Sequence, residues 1–246
     1  MKIIGVPRIN ALGHKGPEDM SKAIGKELKR DFEILEVDNS DIEKSEEQIL
    51  DKARGVLSNQ EKVCFVGGDH SITYPIFKAF RENYKNAFLI VFDAHADCMP
   101  PMKEPTHEEF LRAIIEDGFN PENVILVGAR KIEPEEERFL IEKNVKVFSE
   151  INDMEAAADY ITEKANGRDV YVSVDIDVID PAFAPAVSYP EVGGMTSKEL
   201  LYLLKRIFRI KSLKAMDIVE AIPSKDKLFD MRTIKICAKI ISEFMQ

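Results

Sequence analysis

The chain has no tryptophan and only three cysteines in 246 residues. Cys64, Cys98 and Cys237 are widely spaced, odd in number and free of any C-x-x-C pattern. That excludes a disulfide framework and a cysteine-built zinc knot. Cys64, within VCFVGG, reads as a small buried hydrophobe. Long apolar runs are also missing: nothing approaches the roughly 18 uncharged residues of a membrane-spanning helix. The start, MKIIGVPRIN, lacks the apolar core and cleavage site of a secretory leader, so a cytoplasmic protein is expected. Positive charge is in deficit. Lys plus Arg number 34 against 44 Asp plus Glu, a formal net charge of −10. Nucleic acid and anionic membrane are therefore poor partners, whereas a cationic substrate is permitted. No Pro/Gly/Ser-rich linker, repeat or low-complexity tract divides the chain, so a single domain over residues 1–246 is expected. With 45% hydrophobic and 32% charged residues, the composition is that of a folded chain.

What is present alternates between strand and helix. Strand-length apolar runs occupy Lys2–Val6, Phe32–Val37, Lys62–Val66, Ala87–Phe92, Asn123–Val127, Val145–Phe148, Val170–Val174 and Ser212–Ile218. Segments of helical period lie at Glu18–Arg30, Ile42–Leu57, Ile72–Tyr84, His107–Asp117, Pro134–Lys143, Asn152–Ala165, Ser197–Ile210 and Arg232–Phe244. Asn152 and Ser197 are candidate N-caps. Runs such as FLIVFD and VYVSVD are apolar at nearly every position, which fits parallel strands covered on both faces. The expected fold class is α/β: an eight-stranded, mostly parallel sheet with helices on both faces. An eight-stranded barrel is the alternative.

Ligands in such folds bind beyond the carboxyl ends of the strands. There the sequence reads Gly67-Gly68-Asp69-His70-Ser71, Asp93-Ala94-His95-Ala96-Asp97, Asp175-Ile176-Asp177 and Asp217-Ile218-Val219-Glu220. In an extended D-x-H-x-D or D-x-D, alternate side chains share one face. Several close carboxylates would repel one another without a cation among them. Imidazole nitrogen with carboxylate oxygen suits a first-row divalent ion such as manganese, zinc or iron. Six candidate ligands exceed the three that catalytic zinc usually takes from protein. A pair of ions about 3.5–4 Å apart, bridged by two carboxylates, fits better. Asp69, Asp180 and Asp217 read as supporting or turn carboxylates. His14 reads as a hydrogen-bonded structural histidine.

At these residues the chain resembles the ureohydrolase superfamily of arginases, agmatinases and their relatives. The resemblance runs nearly end to end, through IIGVP, Gly16-Pro17, GGDHS, DAHAD, VGAR, SVDIDVIDPAFAPA, PEVGGMT and DIVEAIP. It implies an arginase-like sheet core, a two-manganese site and a homo-oligomer, trimeric or hexameric. By motif, His70, Asp93, Asp97 and Asp175 would hold one ion, and Asp93, His95, Asp175 and Asp177 the other. Asp93 and Asp175 would bridge. Asp97 would also contact the attacking hydroxide, His107 would shuttle protons, and Glu220 would bind guanidinium. Two departures stand out. The family's histidine commonly begins HG-x-PF, where this chain has His107-Glu108-Glu109-Phe110. The loops framing the pocket are trimmed relative to typical arginases.

The implied reaction is hydrolysis at a guanidinium carbon, giving urea and an amine. The segment Cys98–Thr106 lacks the Asn and Ser that hold the amino-acid end of arginine in arginases. Glu133 lies where arginases place an aspartate that reaches the substrate amino group, and would suit the distal amine of agmatine. Lys103 would be the group to meet a substrate carboxylate. Agmatine or a related guanidino-amine is the expected substrate, which would place the chain in polyamine biosynthesis. Arginine, guanidino-acids and formimino compounds are alternatives within the superfamily. Outside enzymes, the alternative is a metal-bound oligomeric scaffold.

Overall fold

All six residues of Ala87–Phe92 are buried, and so are all five of Val63–Gly67. Such strands need cover on both faces, and the architecture supplies it. The computed structural model describes residues 1–10, 15–59, 61–149 and 153–246. The candidate cap Asn152 and the candidate structural His14 lie outside the described residues.

The strands are β1 Lys2–Val6, β2 Glu33–Ile34, β3 Val63–Gly67, β4 Ala87–Phe92, β5 Val124–Val127, β6 Lys146–Phe148, β7 Asp169–Asp175 and β8 Leu213–Val219. They form one sheet in the order β2-β1-β3-β8-β7-β4-β5-β6. Every pairing is parallel, beyond the mostly parallel sheet expected. The sheet is open, with β2 and β6 at its edges, which removes the barrel alternative.

Among the described residues the helices are α1 Met20–Leu28, α2 Ile42–Leu57, α3 Thr73–Asn83, α4 Phe110–Glu116, α5 Pro134–Lys143, α6 Met154–Ala165, α7 Ser197–Ile207, α8 Pro223–Asp226 and α9 Arg232–Phe244. One apolar layer joins the sheet to α1, α6, α7 and α9 through residues such as Ile24, Ile161, Leu203 and Ile241. The opposite layer joins it to α2, α3, α4 and α5 through Ile49, Phe77, Phe110 and Leu140. Cys237 falls on the buried stripe of α9 with Ile234, Ile241 and Phe244. Among the described residues no helix is long and apolar enough to cross a membrane.

Four expectations shift. The run Phe32–Val37 contributes only two strand residues. Leu35 N still donates to Gly5 O at 2.8 Å, but β1 then runs into Pro7, which has no N–H to extend a ladder. Thr196, not Ser197, caps α7: its side chain accepts from Glu199 N, and the Glu199 carboxylate accepts from Thr196 N at 2.8 Å. This is the reciprocal pairing that T-x-x-E favours. Asp153 caps α6 by accepting from Glu155 N and Ala156 N, both at 3.0 Å. Finally, α4 begins at Phe110, so His107 sits in the turn before the helix.

Candidate metal centre and substrate cleft

The four motif-bearing strands are the middle four of the sheet, adjacent in the order β3-β8-β7-β4. Their carboxyl ends deliver His70, Glu220, Asp175 with Asp177, and Asp93 through Asp97 to one place. Strand alternation is not what aligns them. Asp97 adopts φ 49°, in the left-handed region, and Asp175 opens a tight 3-10 turn, Ile176–Val178. After β3, the chain passes so close to Arg8 that a Cβ on Gly68 would lie 1.7 Å from Arg8 O. Only glycine allows that approach.

Asp93, Asp175 and Asp177 each divide their oxygens between backbone and cluster. Asp93 Oδ1 accepts from His95 N at 2.6 Å, while Oδ2 lies 2.8 Å from His70 Nδ1. Asp177 Oδ1 accepts from Ala94 N at 3.0 Å, while Oδ2 lies 2.9 Å from His95 Nδ1. Asp175 Oδ1 accepts from Asp177 N at 2.8 Å, while Oδ2 lies 3.4 Å from His70 Nδ1. Asp97 Oδ2 lies 3.2 Å from that same nitrogen. Two ligand groups result, His70/Asp93/Asp175 and Asp93/His95/Asp177, with ligand atoms in each within 4.8 Å of one another. Asp93 belongs to both. His70 Nδ1 and Asp93 Oδ2 are buried, yet neither has a hydrogen bond of acceptable geometry. Converging lone pairs of this kind fit a cation.

The charge state of the bare cluster says the same. Burial, then the Asp93 charge, raises Asp97 and Asp177; burial, then the Asp177 and Asp93 charges, raises Asp175. Burial opposes protonation of His95, but Asp177 and Asp93 outweigh it and push the imidazole up to about 12. His70 is raised in the same way by Asp175, Asp93 and Asp97 against its burial. Asp93 runs opposite: burial would raise it, but both histidines hold it low. Metal-free, the cluster keeps protons where a cation would sit.

Glu220 is buried beside the cluster in a left-handed conformation, φ 70°. Its Oε1 accepts from His70 N at 2.9 Å and its Oε2 from Ser188 Oγ at 3.0 Å. Burial, then the Asp69 charge, pushes it up to about 8. His107 is buried and stacks on Tyr189 with ring centroids 5.5 Å apart. Both line the cleft above the cluster, with Glu108, Glu133, Glu136 and Glu191.

Glu136, in the acidic run Glu133–Glu137, is a cleft residue that the sequence reading did not single out. It is buried and accepts from Cys98 N at 2.9 Å and Glu133 N at 2.8 Å. Its spacing from Glu133, the N-cap of α5, carried the signal. Glu191, the glutamate of PEVGGMT, lies 3.9 Å from His95 Nε2 on the same loop as Tyr189, and neither was singled out from the sequence. Arg130 of VGAR secures that loop by donating to Glu191 O at 2.7 Å and Asp177 O at 3.0 Å. Glu133 lines the cleft but pairs with Lys131 Nζ at 2.8 Å. Lys103 pairs with Glu43 and Glu104 on the surface, away from the cleft-lining residues. Asp180 is a turn residue, accepting from Ala182 N and Gly193 N. Asp69 accepts from Asn10 N at 2.6 Å and from Ser71, within the loop after β3.

A family model described as the arginase family matches residues 14–246. An agmatinase of Halalkalibacterium halodurans is 35% identical over 183 residues, covering 73% of this chain and 61% of that protein. The N(1)-aminopropylagmatine ureohydrolase of Thermus thermophilus is 32% identical over 186 residues, covering 74% of this chain and 62% of that protein. These matches span about three-fifths of the relatives' lengths. The formimidoylglutamase structure of Bacillus subtilis superposes with a TM-score of 0.92 at 23% identity, covering 99% of this chain and 85% of that one. At that identity the likeness is one of fold.

Proposed function

Since this chain belongs to the arginase family, we propose that it is a two-metal hydrolase that cleaves a guanidino C–N bond, releasing urea and an amine. The observation that carries the reading is the pair of His/Asp groups sharing Asp93 at the floor of an acidic cleft. The nitrogen and oxygen donors fit manganese among the divalent ions. In this reading His70, Asp93, Asp97 and Asp175 hold one ion and Asp93, His95, Asp175 and Asp177 the other. When bound, such ions lower the pKa of water so that hydroxide is available near neutral pH. The chain's own groups do the rest. Glu220 receives the guanidinium, Asp97 carries a proton toward the departing amine, and His107 relays it at the cleft wall.

A guanidino-amine of the agmatine type is the proposed substrate. Besides the aspartates assigned to the ions, five carboxylates line the cleft: Glu108, Glu133, Glu136, Glu191 and Glu220. Among the described residues Lys131 is the one lysine in that lining, and Glu133 neutralises it. Such a field favours a substrate cationic at both ends over a guanidino-acid. The pairing also weakens Glu133 as the amine's partner. Two relatives act on guanidino-amines by their names, an agmatinase and an aminopropylagmatine ureohydrolase. The same reading carries a place in polyamine biosynthesis and a homo-oligomer. It also carries a cytoplasmic location, to which three buried free thiols are suited. Urea release by the manganese-loaded protein across agmatine, arginine, guanidino-acids and formimino compounds tests it. Agmatine or a larger guanidino-amine is expected to be hydrolysed fastest. Faster turnover of arginine or an acid would overturn the substrate assignment. Inertness toward every compound with both ions bound would favour the scaffold.

Metal binding is expected to stabilise the fold more as pH rises. The raised carboxyls, Glu220 among them at about 8, bind more protons in the metal-free fold than when unfolded. Their stabilisation is present at low pH and lost as pH climbs from about 4.5 toward 8. The raised histidine His95 acts in the same direction, losing its contribution between 6.5 and about 12. Metal ions take the place of those protons and bind the deprotonated ligands. The melting temperature of loaded minus chelated protein should therefore be larger at pH 8 than at pH 6. Each kcal/mol is worth roughly 2–4 °C in a chain of this size. An equal gap at both pH values would count against metal binding at this cluster.

A further inference from the structure

Behind His70 lies a buried carboxylate that the reaction itself does not use. Asp217 sits in β8, directly opposite Ser173 of β7 in the parallel ladder. Both are completely buried, as are Thr73 and Tyr171 around them. Asp217 Oδ1 accepts from Ser173 Oγ at 2.6 Å. Its Oδ2 accepts from Tyr171 Oη at 2.6 Å and Thr73 Oγ1 at 2.9 Å. Its hydrogen-bonding partners are these three hydroxyls, with no lysine or arginine among them. Burying this carboxylate is costly, and the charge of His70 together with the three hydroxyls offsets that cost. Its place behind Ser173 and His70 gives it a role besides packing.

The direction of the hydrogen bonds supplies one. Ser173 has a single hydroxyl hydrogen, and the acceptor-only carboxylate takes it. Ser173 Oγ, 2.8 Å from His70 Nε2, must then accept from that nitrogen. With its proton on Nε2, His70 has Nδ1 as the nitrogen left to meet a metal ion. Nδ1 is the atom that faces the Oδ2 atoms of Asp93, Asp97 and Asp175 at 2.8, 3.2 and 3.4 Å. Phe110, stacked at 4.1 Å between ring centroids, keeps the imidazole plane from tilting. The other cluster histidine is placed differently: His95 Nε2 points toward Glu191 at 3.9 Å, and its side chain is 22% exposed.

We propose that Asp217, acting through Ser173, is a positioning residue that fixes the His70 tautomer for metal binding, selectively at the ion His70 would hold. The inference rests on the two-metal reading above. Partners of this kind typically contribute 10–100-fold to metal affinity.

The test is a manganese titration of the full-length protein by calorimetry and electron paramagnetic resonance, comparing parent, Ser173→Ala and Asp217→Asn. Ser173→Ala should weaken one ion about 10–100-fold and leave the other near its parental affinity; the chelated protein should melt several degrees lower, because Asp217 Oδ1 and His70 Nε2 each lose a buried partner. Asp217→Asn keeps the hydroxyl but weakens its orientation, and should weaken the same ion. In zinc-loaded parent, nitrogen-15 NMR should show His70 protonated at Nε2, a readout that needs no variant. Parental affinity for both ions in Ser173→Ala, equal loss of both, or a His70 protonated at Nδ1 would each overturn the relay alone. A parent that binds no divalent ion would overturn the two-metal reading and the relay with it.

Discussion

Glu220→Gln is expected to lower kcat/KM for the best guanidino substrate by about 30- to 1,000-fold while both metal ions stay bound. That range corresponds to roughly 2–4 kcal/mol, the scale of a lost charge-assisted pair in a desolvated site. The geometry explains why metals should survive. Glu220 Oε1 accepts from His70 N, and the Gln oxygen keeps that bond. Oε2 meets Ser188 Oγ, a hydroxyl that accepts from an amide NH2 as readily as it donates to a carboxylate. The backbone also stays anchored, because Glu220 N donates to Gly68 O at 3.0 Å. What the variant loses is negative charge facing the cleft, and with it the paired bonds a planar guanidinium makes to a carboxylate. Kinetics alongside metal analysis decide the matter. Metal loss would make Glu220 a support for the cluster, and parental kcat/KM would move guanidinium recognition elsewhere.

Asp97→Asn should lower kcat at least about 100-fold per fully loaded site, the usual scale of a positioned acid–base group. Some loss of metal affinity is expected as well, since an amide is a poorer ligand than a carboxylate. Turnover must therefore be normalised to bound metal. The backbone should accept the change. Asparagine tolerates the left-handed region that Asp97 occupies at φ 49°. The peptide after it is pinned from both sides: Asp97 O accepts from Leu111 N at 3.2 Å, and Cys98 N donates to Glu136 at 2.9 Å. Full turnover at normal loading would remove Asp97 from proton transfer.

The ligand motifs were legible because they break apolar runs abruptly. A carboxylate or imidazole after five or six buried residues has few local explanations, and four such breaks in one chain have fewer. Other features were not legible for equally physical reasons. His107 was read at the start of a helix, yet it lies in a buried turn with its ring against Tyr189. That contact joins residues far apart in sequence, so no local period reports it. Glu136 was not singled out from its acidic neighbours. Its burial follows from the loop after β4 lying over the N-terminus of α5, where Cys98 N finds its carboxylate. The edge strand β2 was read too long because propensity cannot see that its partner meets Pro7.

Local pattern alone determined the kinds of atoms that could meet a substrate here: imidazoles and carboxylates at the ends of strands, with no cationic excess to oppose a cationic ligand. It also determined that the strands would be parallel, since runs apolar on both faces demand cover on both. Only the tertiary structure decided that the strands bearing those motifs stand side by side as β3-β8-β7-β4. Strand order depends on how each crossover helix packs against one face or the other, a long-range outcome absent from any window of sequence. It decided, too, that Asp217 lies opposite Ser173 and that Lys131 neutralises Glu133. Burial and the neighbouring charges together then set the protonation of the cluster, because both act on the assembled site and not on the isolated residue.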